Sequence, residues 1–457
     1  MSRNDDLARR EFIKGTGLVT MGLFAGSSVL SRPLNAEAGS SRVPNIVFIV
    51  TDDLGWGDLG CYGSQSISTP VLDGLAKEGV RMTEFFSSGP ICSPSRAGML
   101  TGRYPLRAGV PEVFLPTWGK LSFVLPFRLI RGDNLGLPTE EIILPQLLKE
   151  KGYSTCCIGK WHLGDMKKYR PHHRGLDHYF GLLYSNDMTP LPLYRNDEIV
   201  EKSPVNQDYL TQKYTKETLG FIDEHKDGLF FLYMAHTFPH RPVHASPAFQ
   251  GRSGGGLYGD CVEEIDWSTG QILDRLEKHG LRDNTLVIFT SDNGPWFQGN
   301  PGYHRGRKHE TFDGGMCVPM IASWPGKLPA GYVTHEMSMN MDIFATILAA
   351  AGASLPTDRI IDGKNILPML QGKEPTPHEA LYFYRHDQLQ AVRVGKWKYQ
   401  RRHWVMLMHL YESKGPWLFN LEDDPNESYD VSLRYPEKVA ELEAMCVEWE
   451  KNFRPGV

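Results

Sequence analysis

The chain has 457 residues, 41% hydrophobic and 23% charged, with a formal net charge of -5. That composition fits a globular protein of two or three domains, or one large α/β unit with an appendage. The mild negative charge and absence of a long basic run argue against nucleic-acid binding, and seven cysteines without zinc-type spacing argue against a disulfide framework.

The N-terminus carries an address. Arg9-Arg10-Glu11-Phe12-Ile13-Lys14 precedes a mildly apolar run, Gly15–Leu30, too short and interrupted for a stable membrane span, and Ala36-Glu37-Ala38 offers a cleavage site. Residues 1–38 therefore read as a twin-arginine signal peptide. The expectation is a bacterial protein, passed folded through the twin-arginine export machinery and working in the periplasm or secreted.

Pro44–Val50 is a continuous apolar run, the mark of a strand buried on both faces, and it leads straight into Asp52-Asp53. Carboxylates at such a strand end lie on the rim where α/β proteins bind ligands, although helix capping is a plainer use of aspartate. Val71–Gly79 reads as a helix with Leu72, Leu75 and Ala76 on one face, and Arg81–Phe86 as a strand.

Cys92-Ser93-Pro94-Ser95-Arg96 then starts a helix. Pro94 suits its first turn and the flanking serines offer caps. A helix N-terminus and an arginine one turn in both lower a thiol pKa, although a cysteine there is often simply packed. Tyr104–Leu137, with Phe114, Trp118, Phe123 and Phe127, reads as a long loop over the site, followed by a helix over Ile142–Lys151.

The strand-then-polar pattern now repeats. Tyr153–Ile158 delivers Gly159-Lys160-Trp161-His162-Leu163-Gly164, with Lys160 and His162 facing one way if extended. Leu229–Ala235 leads to His236 and His240. After a helix over Tyr258–His279, Thr285–Thr290 leads to Asp292-Asn293. A glycine-rich basic loop, His304–Gly315, contains Lys308, and Met339–Ala351 is helical. Gly352–Pro377 is rich in proline, glycine and polar residues and marks a junction. Beyond it, four short alternating runs and a helix from Pro436 to Lys451 read as a small antiparallel sheet with one helix. The expected domains are 39–365 and 366–457.

If the four apolar strands are parallel, their polar ends gather at one edge with Cys92. Asp52, Asp53, Asp292 and Asn293 offer oxygen only, which selects a hard divalent cation such as Ca²⁺ or Mg²⁺. Three carboxylates would otherwise repel one another. Arg96, Arg103, Lys160 and Lys308 add charge to hold a tetrahedral anion. The pattern suits a sulfuryl or phosphoryl ester.

From Asn45 onward the chain resembles type I sulfatases of the alkaline phosphatase superfamily, of the arylsulfatase and N-acetylgalactosamine-6-sulfatase kind. The resemblance rests on Cys92-Ser93-Pro94-Ser95-Arg96, Leu100-Thr101-Gly102-Arg103 and Gly159-Lys160-Trp161-His162-Leu163-Gly164. It implies an α/β fold: a large, mixed, mostly parallel sheet between helices, with a small C-terminal α+β domain. It also implies that a maturation enzyme converts Cys92 to formylglycine (3-oxoalanine), whose hydrate is the nucleophile, beside one Ca²⁺ held by Asp52, Asp53, Asp292, Asn293 and the modified Cys92. By the same resemblance Arg96, Lys160 and His162 support that hydrate, His240 protonates the leaving alcohol, and Lys160, His240 and Lys308 bind the substrate. That substrate would be a sulfated carbohydrate or an aryl sulfate. Its leaving group would be shaped by Tyr104–Leu137, Met166–Asn206, Trp296–Arg307 and Arg401–His409. His236 matches no catalytic position, and Cys317 stands where relatives usually carry arginine. The alternatives are a phosphatase, phosphodiesterase or phosphonate hydrolase on the same scaffold, or an inactive sugar-binding homologue; zinc enzymes of that scaffold would want more histidines.

Overall fold

The computed structural model describes residues 43–118, 134–404 and 412–453. The signal-peptide reading, Phe123 and Phe127, and most of the Arg401–His409 stretch lie outside them. Among the described residues no helix is long and apolar enough to cross a membrane.

The strands in chain order are β1 (Asn45–Thr51), β2 (Val80–Met82), β3 (Phe85–Phe86), β4 (Ser154–Lys160), β5 (His178–Leu182), β6 (Leu193–Arg195), β7 (Glu198–Glu201) and β8 (Phe230–Ala235). They continue with β9 (Thr285–Ser291), β10 (Met320–Ser323), β11 (Tyr332–Thr334), β12 (Ser338–Met339), β13 (Leu381–Arg385), β14 (Gln388–Val394), β15 (Trp397–Trp404) and β16 (Glu412–Asn420). Ten form one mixed sheet in the order β11-β2-β10-β9-β1-β8-β4-β5-β6-β7. Its centre, β9-β1-β8-β4-β5, is parallel throughout. The expected parallel arrangement of the four apolar strands is therefore what the chain adopts.

Both faces of that sheet are covered, which is why its central strands are apolar without alternation. Ile46, Phe48 and Val50 of β1 point into one core, with Leu100 of the helix Cys92–Thr101, Leu148 of Leu144–Glu150 and Phe344 of Asp342–Ala350. Val47 and Ile49 point into the other, with Leu72 of Pro70–Glu78, Phe221 of Leu210–His225 and Ile265 of Gly256–Lys278. Each such side chain contributes ~1.5–3 kcal/mol when fully buried. β4 crosses β8 closely at Gly159, where a Cβ would lie 1.7 Å from Ala235 O at φ +115°. Only glycine fits one residue before Lys160.

Two stretches differ from the sequence reading. Met166–Asn206, expected as a loop, carries β5, β6 and β7. Leu210–His225 is a helix whose apolar period is masked because its buried face uses Thr211, Thr215 and Thr218 among Tyr214, Phe221 and Ile222.

The C-terminal strands β13–β16 form a separate antiparallel sheet, as expected. Trp449 of the helix Pro436–Asn452 stacks on Tyr382 at 4.0 Å and meets Tyr104 edge-on at 5.6 Å. The division at 365/366 is a proposal, which limited proteolysis between Gly352 and Pro377 would test.

Candidate active site

Thr51 closes β1 beside Ser291 of β9, and the Asp292 N–H donates to Thr51 O at 3.0 Å. This register lays Asp52-Asp53 against Asp292-Asn293. Asp53 turns back at φ +65°, its N–H donating to Asp292 Oδ1 at 3.2 Å, while Asn293 Nδ2 donates to Asp53 Oδ1 at 2.8 Å. Asn293 Oδ1 is buried and accepts no hydrogen bond among the described residues.

The helix Cys92–Thr101 begins over this rim. Cys92 is its first residue and Gly102, at φ +69°, ends it. The serines beside Pro94 do not cap it, contrary to expectation: Ser93 Oγ donates to His162 O at 2.8 Å and Ser95 Oγ to Asp292 O. They tie the helix to two other strand ends. Cys92 Sγ lies 3.5 Å from both Asp52 Oδ1 and Lys308 Nζ. The thiol pKa is not lowered but pushed up to about 12, because burial and the Asp52 carboxylate outweigh Lys160 and Lys308. Helix dipole and arginine were the wrong guides here, since Arg96 is committed to carboxylates.

Arg96 donates through Nε to Asp292 Oδ2 at 2.9 Å and through Nη1 to Lys160 O at 2.8 Å, with Nη2 3.5 Å from Asp52 Oδ2. Lys160 Nζ bonds Asp52 Oδ2 and reaches Ser185 Oγ at 3.3 Å. Lys308 Nζ bonds Asp53 at 2.8 Å. Burial opposes ionisation of Asp52, yet Lys160, His240 and Arg96 hold its carboxyl far below the usual range. Asp292, raised to about 6 by burial and by Asp52, shows the repulsion expected among these carboxylates. Three cations face three carboxylates in a site sealed from water.

His240 Nε2 lies 3.8 Å from Asp53 Oδ2, and Nδ1 lies 2.9 Å from Asn186 Oδ1 and 2.6 Å from Arg241 O. Burial and Lys308 lower its pKa. One potential ligand atom each from Asp52, Asp53, Cys92 and His240 falls within 4.8 Å of the others.

Not every expected residue arrives. His162 adopts φ +59°, so it does not follow the extended line of Lys160; its Nε2 lies 3.1 Å from Phe114 O, and burial and Lys160 press its pKa well down. Arg103 follows a ten-residue helix that carries it ~15 Å from Cys92. There it pairs with Glu141 at 2.9 Å, away from the carboxylate cluster. His236 is buried, and neither ring nitrogen has a hydrogen-bond partner among the described residues. Ser185 and Asn186, which position Lys160 and His240, were missed. The signal was present: His178–Tyr184 is another apolar run ending in polar residues.

A parallel-sheet rim carrying buried carboxylates, paired cations and a cysteine at a helix start defines a hydrolase of anionic esters. The comparisons make this specific. The sequence profile of the family described as Sulfatase matches residues 44–353, and that of N-sulphoglucosamine sulphohydrolase, C-terminal, matches residues 302–448. N-acetylgalactosamine-6-sulfatase of Canis lupus familiaris is 38% identical, over 94% of this chain and 90% of its own. A Bacteroides thetaiotaomicron protein, solved in the context of the metabolism of multiple glycosaminoglycans, superposes with a TM-score of 0.80 at 28% identity, covering 90% of this chain and 99% of its own. Another, solved in complex with a neocarrahexaose, superposes with a TM-score of 0.77 at 30% identity, covering 91% and 94%. The chain belongs to the sulfatase family. It is a sulfuric ester hydrolase on the alkaline phosphatase scaffold.

Proposed function

We propose that this sulfatase hydrolyses sulfate esters of sulfated sugars, and aryl sulfates in an assay, using residue 92 as a formylglycine and one Ca²⁺. The observation that carries the reading is Cys92 Sγ at 3.5 Å from both Asp52 and Lys308, at the point where the four strand ends meet. The glycan-directed relatives supply the substrate class.

The donor set fits the cation. Asp52, Asp53, Asp292 and Asn293 would hold it with residue 92; all four offer hard oxygen, and Asn293 Oδ1 is buried without a partner. When present, the formylglycine hydrate supplies an oxygen nucleophile and a second hydroxyl that allows sulfate to leave, while the cation polarises sulfate oxygens.

The chain's own residues do the rest. Lys160 and Arg96 hold positive charge beside residue 92, and Lys308 holds it on the opposite side, so sulfate oxygens meet fixed donors in a dry pocket. His240, its Nδ1 facing Asn186 Oδ1 and Arg241 O, keeps Nε2 toward the pocket to give a proton to the leaving oxygen. His162 packs over Tyr184 at 5.6 Å and secures the loop through Phe114. A twin-arginine signal peptide over residues 1–38 would deliver the folded protein to the periplasm or beyond, with Cys92 converted beforehand by a maturation enzyme.

The test is a hydrolysis screen over sulfated mono- and oligosaccharides with wild type and Cys92→Ala. Wild type should release sulfate, and the variant should lose that activity while keeping its near-ultraviolet circular dichroism. Turnover persisting in the variant would sink the reading.

A further inference from the structure

A second polar cleft adjoins the Cys92 pocket. It lies where the β13–β14 hairpin meets the start of the Cys92 helix, and Ser88, Ile91, Pro94, Arg385 and His386 are among the residues lining it. Pro90 O accepts the His309 N–H at 2.9 Å, so the loop bearing Lys308 closes the same corner.

Arg385 is the anomaly. It is only 3% exposed, yet neither Nε nor Nη1 has a hydrogen-bond partner among the described residues. Ser88 Oγ, in the same cleft, is also buried without one. Glu112 faces Arg385 electrostatically, but its carboxylate is spoken for: Oε2 lies 2.6 Å from His386 Nδ1 and Oε1 accepts the Val113 N–H at 2.8 Å. Burying a guanidinium without acceptors is expensive, and proteins keep such groups where something pairs with them. The other buried cations of the site, Arg96, Lys160 and Lys308, all contact carboxylates.

The inner void is about 10 Å³, room for one water-sized group. A whole sugar ring does not fit, nor does a tetrahedral sulfate. One oxygen of a planar carboxylate does, and guanidinium matches carboxylate geometry better than any other side chain.

We propose that Arg385, with Ser88 beside it, forms an acid-recognition subsite that takes the carboxylate of a uronic acid on the leaving-group portion of the substrate. This rests on the sulfated-sugar reading and names the class of sugar chain: one alternating sulfated hexosamine with uronic acid. A free small carboxylate such as acetate offers the same chemistry, so the two sources must be separated.

Calorimetry does so without turnover. The probes are the desulfated hexosamine–uronate disaccharide, its counterpart with the carboxyl reduced to an alcohol, and acetate, each titrated into wild type, Arg385→Gln and Arg385→Lys. Wild type should bind the acidic disaccharide at least tenfold more tightly than the reduced one. Arg385→Gln should erase that ratio and Arg385→Lys should keep part of it. Equal affinities for the two disaccharides in wild type overturn the proposal whatever the variants do, and so does a ratio that survives Arg385→Gln. Acetate binding as tightly as the acidic disaccharide assigns the cleft to a free anion and overturns it too. Absence of sulfate-ester hydrolysis would instead overturn the proposed function, which these titrations do not measure.

Discussion

Lys398 offers the sharpest test of how the C-terminal sheet supports the site. It projects from β15, fully buried, and its ammonium lies 2.5 Å from Asp313, 2.7 Å from Glu427 and 2.9 Å from Thr311 O. Asp313 begins the short turn that follows the Lys308 loop, and its N–H donates to Glu427 at 2.7 Å. Lys398→Met keeps the apolar stem and removes the charge. Arg393 lies 3.7 Å from Asp313 but is bonded to Glu84, so it replaces little. Leaving buried carboxylates unpaired costs ~3–5 kcal/mol. The pH dependence follows from Glu427, already raised to about 7 by burial. A raised carboxyl favours folding in its protonated form, and that contribution fades as pH rises through the folded pKa. Without Lys398 the folded pKa rises further, so the loss should be larger at pH 8 than at pH 5.5. Urea unfolding at both values measures it, and adding Glu427→Gln should restore part of the stability. A loss under ~1 kcal/mol at pH 8, or one independent of pH, would refute the reasoning.

Asp266 caps the helix Pro70–Glu78 from a neighbouring helix, accepting the Leu72 N–H at 2.8 Å and the Val71 N–H at 3.2 Å, and burial raises its carboxyl to about 6. Its contribution is therefore complete below the unfolded value and lost as pH rises through about 6; Asp266→Asn should flatten part of the decline in unfolding temperature between pH 4.5 and 7.5, as followed by calorimetry. Ser185→Ala removes a hydroxyl from both Lys160 and His240. Initial-rate kinetics should show kcat/KM for an aryl sulfate falling about tenfold, the loss of one charged hydrogen bond.

The parallel core was legible because each central strand is an apolar run that stops at a polar cluster, and burial on both faces demands that pattern. The same logic brought Asp52, Lys160, His240 and Asp292 together although they lie far apart in the chain. What escaped was set by distant partners. Arg103 sits in the signature sequence, yet helix length carries it to Glu141. Cys317 is buried with Sγ 3.4 Å from Thr83 O, while a guanidinium near it comes from Arg393 of β14, which bonds Glu84. Nothing local to residue 317 foretells that. Ser185 and Asn186 were hidden in a stretch whose aromatics and turns masked β5, and the Cys92 thiol was misjudged because its neighbours' commitments are tertiary.

The most direct measurement is mass spectrometry of the peptide containing Cys92, taken from fully active protein made in a host with the maturation enzyme. An aldehyde in place of the thiol, in proportion to specific activity, is the expected result. Full activity with residue 92 entirely as thiol would contradict the mechanism.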